Sequence, residues 1–218
     1  MKKHLCIFLS GFFLIGTLSF AYAEEDKPPT DETPPALGST PPPEVLKFLQ
    51  DLKRQYGADT VALVSWLIDA TNHSGSVLTS SVKVDGPETK DNTKFLVFLV
   101  DTGLILNEQT TDQNGRLLTV WEEILTKAFL HMDTLRVPAD GVRIDLLYHH
   151  KSFPQTDDLV EHVDEPGPIE EAKFYIPSDP IQAFMKKELS DQQLLSHAQV
   201  FVDDKPVILV TPHGAQPL

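Results

Sequence analysis

The sequence predicts an α+β domain, a mixed and mostly antiparallel sheet of about six to seven strands covered by three to four helices. Three observations carry this reading. Apolar residues recur at a spacing of two in some segments and at three and four in others, without the strict β-α alternation of a doubly wound sheet. An apolar fraction of 41% with 23% charged residues belongs to a folded chain and excludes wholesale disorder. The 218 residues suffice for one domain of ordinary size and are too few for two with a linker.

Residues 1–23 read as a signal peptide. Lys2 and Lys3 give a positive start of bacterial style, 5–20 an apolar core, and Ala21-Tyr22-Ala23 a cleavage site with small residues before the cut. Cleavage after Ala23 and export to the periplasm or beyond are expected. An uncleaved anchor is the alternative, although Gly11, Gly16, Thr17 and Ser19 dilute the apolar run. The single cysteine, Cys6, leaves with this segment, which excludes disulfide, thiol-nucleophile and Cys-ligated metal chemistry from the exported chain. Loss of Lys2 and Lys3 takes the 18 basic residues to 16 against 32 acidic ones. The net charge of −14 would repel nucleic acid and an anionic membrane, so neither is expected as a partner beyond the export signal itself.

Residues 24–43 form an acidic linker containing Pro28, Pro29, Pro34, Pro35, Pro41, Pro42 and Pro43, too polar to bury a core. The single domain spans 44–211, and 212–218 is a flexible tail. Its first helix carries Val45, Leu46, Phe48, Leu49, Leu52 and Tyr56 at three and four, and Gly57 closes it. Segments 61–68 and 77–84 are β-rich and predict strands. The continuous apolar run 95–100 predicts a central strand buried on both faces. Asp101-Thr102-Gly103 then reads as a turn before 104–106, and Asn114-Gly115 as another.

Thr119 with Glu122 matches a capping box, so a helix is expected from Thr119, with Trp121, Ile124, Leu125, Ala128, Phe129 and Met132 on its apolar face. Trp66 and Trp121 both read as core. Val142, Ile144, Leu146 and Tyr148 alternate with Arg143, Asp145 and His149, the pattern of a half-buried strand. An acidic loop 154–168 precedes extended structure over 172–176. Helices are expected from Asp179 and from Ser190, and a hairpin of 199–202 with 207–210 ends the domain. Pro206 should lie at its turn or on the edge, because proline cannot donate to a ladder.

Two constellations carry possible chemistry. Leu99-Val100-Asp101-Thr102-Gly103 resembles the catalytic loop of retroviral-type aspartic proteases, in which an apolar strand delivers Asp-Thr-Gly and two loops share a proton across a dimer. The resemblance implies a catalytic Asp101. It spans five residues, and Leu104 stands where that family has a small residue. As a turn residue, Asp101 would instead accept amide hydrogens locally. His149, Asp145 and His162 supply two imidazoles and a carboxylate of a kind that suits zinc, yet no His-Glu-x-x-His helix or calcium-hand order is present. A solvated acidic loop explains the same residues, and no metal or other cofactor is expected. The residues favour an exported, non-catalytic module that binds a protein or small-molecule ligand through an acidic face. The alternative is a periplasmic hydrolase, aspartic-protease-like at Asp101 or metal-dependent near His149 and His162. A carrier with an apolar pocket between helix and sheet is a third reading.

Overall fold

One buried cluster lays out the molecule. Leu96, Phe98 and Val100 meet Val142, Ile144 and Leu146 and then Ala172, Phe174 and Ile176, and this apolar set packs on Leu63, Leu67, Trp121, Leu125 and Phe129. Residues two apart on a strand share a face, so the helices all lie on one face of a sheet. The computed structural model describes residues 43–74, 81–152 and 166–211. The expected signal peptide, most of the linker, His162 and the tail lie outside the described residues.

In chain order the elements are α1 (Pro43–Tyr56), α2 (Ala58–His73), β1 (Ser81–Lys90), β2 (Thr93–Asn107), α3 (Gln113–Val120), a π-helical segment (Trp121–Thr126), α4 (Lys127–Leu130), β3 (Gly141–Lys151), β4 (Ile169–Pro177), α5 (Ser178–Met185), α6 (Asp191–Ser196), β5 (Gln199–Val202) and β6 (Lys205–Val207). From α3 through the π segment to α4 the helix is continuous, which gives five helices on a six-stranded mixed sheet. The α+β expectation holds. Strands follow one another in sheet order β1 to β6, and every neighbouring pair is antiparallel except β2 and β3. That parallel pair needs a crossover, which the helix 113–130 supplies.

Four local expectations are corrected. Residues 61–68 are helical within α2, not a strand. Thr60, Leu63, Val64, Leu67, Ala70 and Thr71 are its buried positions, a helical spacing hidden because Val61, Ala62, Trp66 and Ile68 between them are apolar too. Burying each large apolar side chain contributes about 1.5–3 kcal/mol, which outweighs the few tenths that a β-branched residue costs a helix. Asp101-Thr102-Gly103 is not a turn but lies inside β2, where the pairing with β3 shifts between Asp101 and Ile105. The helix after β2 does not begin at Thr119. Asp112 caps it by accepting the Gly115 amide at 2.8 Å, and Thr119 Oγ1 donates to the Gly115 carbonyl at 2.9 Å. Gly115 belongs to this cap and not to a turn, since it lies in the first turn of α3 and its amide is the one Asp112 accepts.

Trp121 is buried as expected, although its Nε1 has no hydrogen-bond partner. Trp66 is only partly buried and stacks on His131, with ring centroids 4.5 Å apart. The Ser190 helix start holds as a full capping box with Gln193, and Pro206 sits on the edge strand β6. No helix among the described residues is long and apolar enough to cross a membrane.

Candidate functional site on the open face of the sheet

The face of the sheet turned away from the helices is built from the alternate residues of each strand. Leu99 of β2, Asp145 of β3, Lys173 of β4 and Phe201 of β5 fall in one cross-strand row. Val97, Arg143, Tyr175 and Gln199 form the next. Charges of opposite sign meet along these rows. Arg143 clasps Asp145 in a two-pronged pair, Nε to Oδ1 at 2.7 Å and Nη2 to Oδ2 at 2.5 Å, and its Nη1 bonds Glu88 of β1. Lys173 bonds Asp204 at 2.6 Å and lies 3.3 Å from Glu171. Tyr175 donates its hydroxyl to Glu88 at 3.3 Å.

The face is curled. Between Val84 and Gly86 the pairing of β1 with β2 shifts by a bulge, and Gly86 takes φ 93. A bulge bends its strand and increases twist. Gly141 of β3 leaves room for an aromatic ring. Its partner in β2 is Phe95, whose ring lies where a Gly141 side chain would be, since a Cβ there would approach Phe95 Cε1 to 2.9 Å. The Phe95 ring thereby reaches Tyr175 edge-on at 5.2 Å, and Tyr175 meets Phe201 edge-on at 5.6 Å. An aromatic line thus crosses from β2 to β5.

Burial pushes the Asp145 carboxyl above its ordinary range, against the opposing pull of Arg143 and Lys173. Burial also acts to weaken the charge on Arg143, but the Asp145 carboxylate more than offsets it and the guanidinium is held charged. Hydrogen bonding from Lys173 holds Asp204 below the usual carboxylate range.

Of the residues singled out from sequence, Asp145 belongs to this network. Asp101 shares the face, and its Oδ1 accepts the Gly103 amide at 3.2 Å. His149 Nδ1 lies 2.9 Å from the Gly167 carbonyl, while His150 Nδ1 lies 2.8 Å from Glu108 on the opposite face. Among the described residues no group of three or more His, Cys, Asp and Glu is placed to hold a metal. Glu88, Lys90, Arg143, Lys173, Tyr175 and Phe201 were not singled out. Alternation along β3 and β4 puts Arg143 with Asp145 and Lys173 with Tyr175, but nothing local brings β1 to them.

Elsewhere, an open groove of about 640 Å³ runs between α6 and the β5–β6 edge, lined by Leu195, Val200, Val207 and Leu209. Beyond β6 the chain is fixed by Asn114, whose side chain bonds both the carbonyl and the amide of Val210, at 2.8 and 2.9 Å. Compared with protein-family models, curated proteins and solved structures, the chain matches none.

Proposed function

We propose that this chain is an exported, non-catalytic binding module whose ligand seats on the open face of the sheet. The observation that carries the reading is the asymmetry of the two faces. One face is sealed by helices, and the other, with no helix over it among the described residues, bears a line of aromatic rings bordered by paired charges, in which Phe201 is half-buried and Phe95 and Tyr175 are buried among their neighbours on the sheet. The sheet edges are less suited to a partner strand. Pro87 and the bulge interrupt β1, Pro206 interrupts the three-residue β6, and proline cannot donate to an added strand. A net charge of −14 favours a cationic or basic ligand over an anionic one. Export rests on the signal pattern of residues 1–23.

The test is an amide chemical-shift titration of the protein purified after export, against basic and neutral peptides and small organic ions. Saturable shifts centred on β3, β4 and β5 are expected. A parallel assay measures cleavage of an unstructured protein at mild acid pH and, separately, with divalent metal. Cleavage that is abolished by Asp101→Asn or by His149→Ala would replace the module with the hydrolase reading.

A further inference from the structure

Lys90 closes β1 at a two-residue turn, Asp91-Asn92, whose φ angles of 50 and 64 are those of a hairpin turn matched to strand twist. Three strand spacings separate β1 from β4, about 14 Å in a flat sheet, too far for a lysine to sit on a ring of β4. Yet Lys90 Nζ lies 3.9 Å from the Tyr175 ring centroid and 3.4 Å from that of Phe201. The bulge at Gly86 bends β1 just before Lys90. Lys83, Lys127 and Lys173 each hold a carboxylate. Lys90 makes no ion pair among the described residues, although Glu88 and Asp91 are near enough to favour its charge. Its ammonium is held by two rings, and partial desolvation lowers its pKa.

We infer that the Tyr175–Phe201 corner is a binding site for an organic ammonium group, and that Lys90 is a tethered occupant which an external ammonium displaces. The inference rests on the binding-module reading and gives its ligand a chemical class. The occupant already in place shows which chemistry the corner accepts, because ring faces attract a cation that has shed part of its water. The corner is also held in shape without Lys90. Phe95 braces the Tyr175 ring from one side and Glu88 accepts its hydroxyl. Arg143, 5.4 Å from the Tyr175 centroid, would repel a second cation, but Asp145 and Glu88 neutralise it. Displacement needs only side-chain rotation of Lys90 into water, which returns rotamer freedom to a long side chain.

The experiment follows the Tyr175 and Phe201 ring signals by NMR in the wild type, Lys90→Ala and Phe201→Leu, with tetramethylammonium, choline and Nα-acetyl-lysine amide as probes. Lys90→Met, which keeps the apolar stem, replaces Lys90→Ala if the latter fails to fold. Emptying the corner should tighten binding about tenfold relative to wild type, the scale of a partly desolvated cation–π contact. Phe201→Leu should abolish saturation. Preference for the lysine amide would point to a lysine side chain as the source of the ammonium, and preference for choline to a free quaternary ion. No saturable shift in folded Lys90→Ala or Lys90→Met overturns the inference. So does saturation in those variants with none in wild type at a hundredfold excess over their dissociation constant. Either failure leaves the module reading standing if another ligand shifts the same face, and sinks both if none does.

Discussion

Arg116 and Glu170 form an ion pair from which water is nearly shut out, with Nε 3.1 Å from Oε2 and side chains only 9% and 6% exposed. The pair ties α3 to β4. Gln113 donates to the other oxygen of Glu170 at 2.6 Å, and Arg116 Nη1 donates to the Thr111 carbonyl at 3.0 Å. Tyr148 is buried against the same two charges, and burial raises its pKa far beyond any working pH. Breaking such a pair from one side leaves an uncompensated buried charge. Arg116→Met should therefore cost about 3–5 kcal/mol, whereas Arg116→Met with Glu170→Leu should recover most of the loss. Urea denaturation midpoints of the three proteins decide this, and equal losses in the single and double variants would contradict it.

The same site makes a pH prediction. Burial pushes the Glu170 carboxyl up, but hydrogen bonds from Gln113 and Arg116 outweigh it and hold the native value below the ordinary 4.5. A lowered native pKa means that the unfolded chain binds the proton first. The stabilisation is fully present above pH 4.5 and is lost as pH falls through the lowered value. Glu170→Gln should melt earlier than wild type at pH 6, with the gap closing as the pH falls toward 2. A gap that stays constant with pH would show that the charge of Glu170 contributes nothing.

The helix start is testable by contrast. Asp112→Ala removes the oxygen that accepts the Gly115 amide and should cost about 1 kcal/mol. Thr119→Ala removes a hydroxyl bonded back to its own helix and should be nearly neutral, since alanine favours a helix interior. Thermal melts that rank the two the other way would return the cap to Thr119.

Gly141→Ala probes the space that the Phe95 ring occupies. The added Cβ would stand 2.5 Å from the Ile176 carbonyl oxygen and 2.9 Å from the Phe95 ring. Overpacking of this kind costs about 1–3 kcal/mol. Displacement of Phe95 should also disturb the Tyr175 ring signals, which a melting curve alone would not register. An unshifted Tyr175 spectrum would mean that the aromatic line does not depend on Gly141.

What could be read in the residues follows how local the cause is. The strand at 95–100 shows itself because six apolar residues in a row can be served only by burial on both faces, and Ser190 marks a helix start because a cap is local, its partner Gln193 lying three residues on. Residues 61–68 conceal a helix because the residues between the buried ones are apolar as well, so the period of 3.6 is masked. Asp101-Thr102-Gly103 looks like a turn because Asp and Gly are turn residues, while the irregularity they make is a shift within β2. For the open face, the alternation of Arg143 with Asp145 marks a polar side but not its partners. Lys90 meets Tyr175 and Phe201 across three strands, a contact between residues 85 and 111 positions apart that no local pattern announces.

Because the order of strands across the sheet repeats their order along the chain, most of the architecture assembles from neighbours. The β1–β2 and β5–β6 hairpins close over turns of two residues, each with both residues at positive φ, and such closures take about 1–10 μs. β2 and β3 are different. Their parallel pairing must wait until the chain has passed through the whole helix 113–130 and returned, a loop closure whose entropic cost is met before any contact repays it. The slow step of folding is thereby assigned to the docking of that helix, and mutations at Trp121 or Ile124 should retard refolding more than equally destabilising ones at β6.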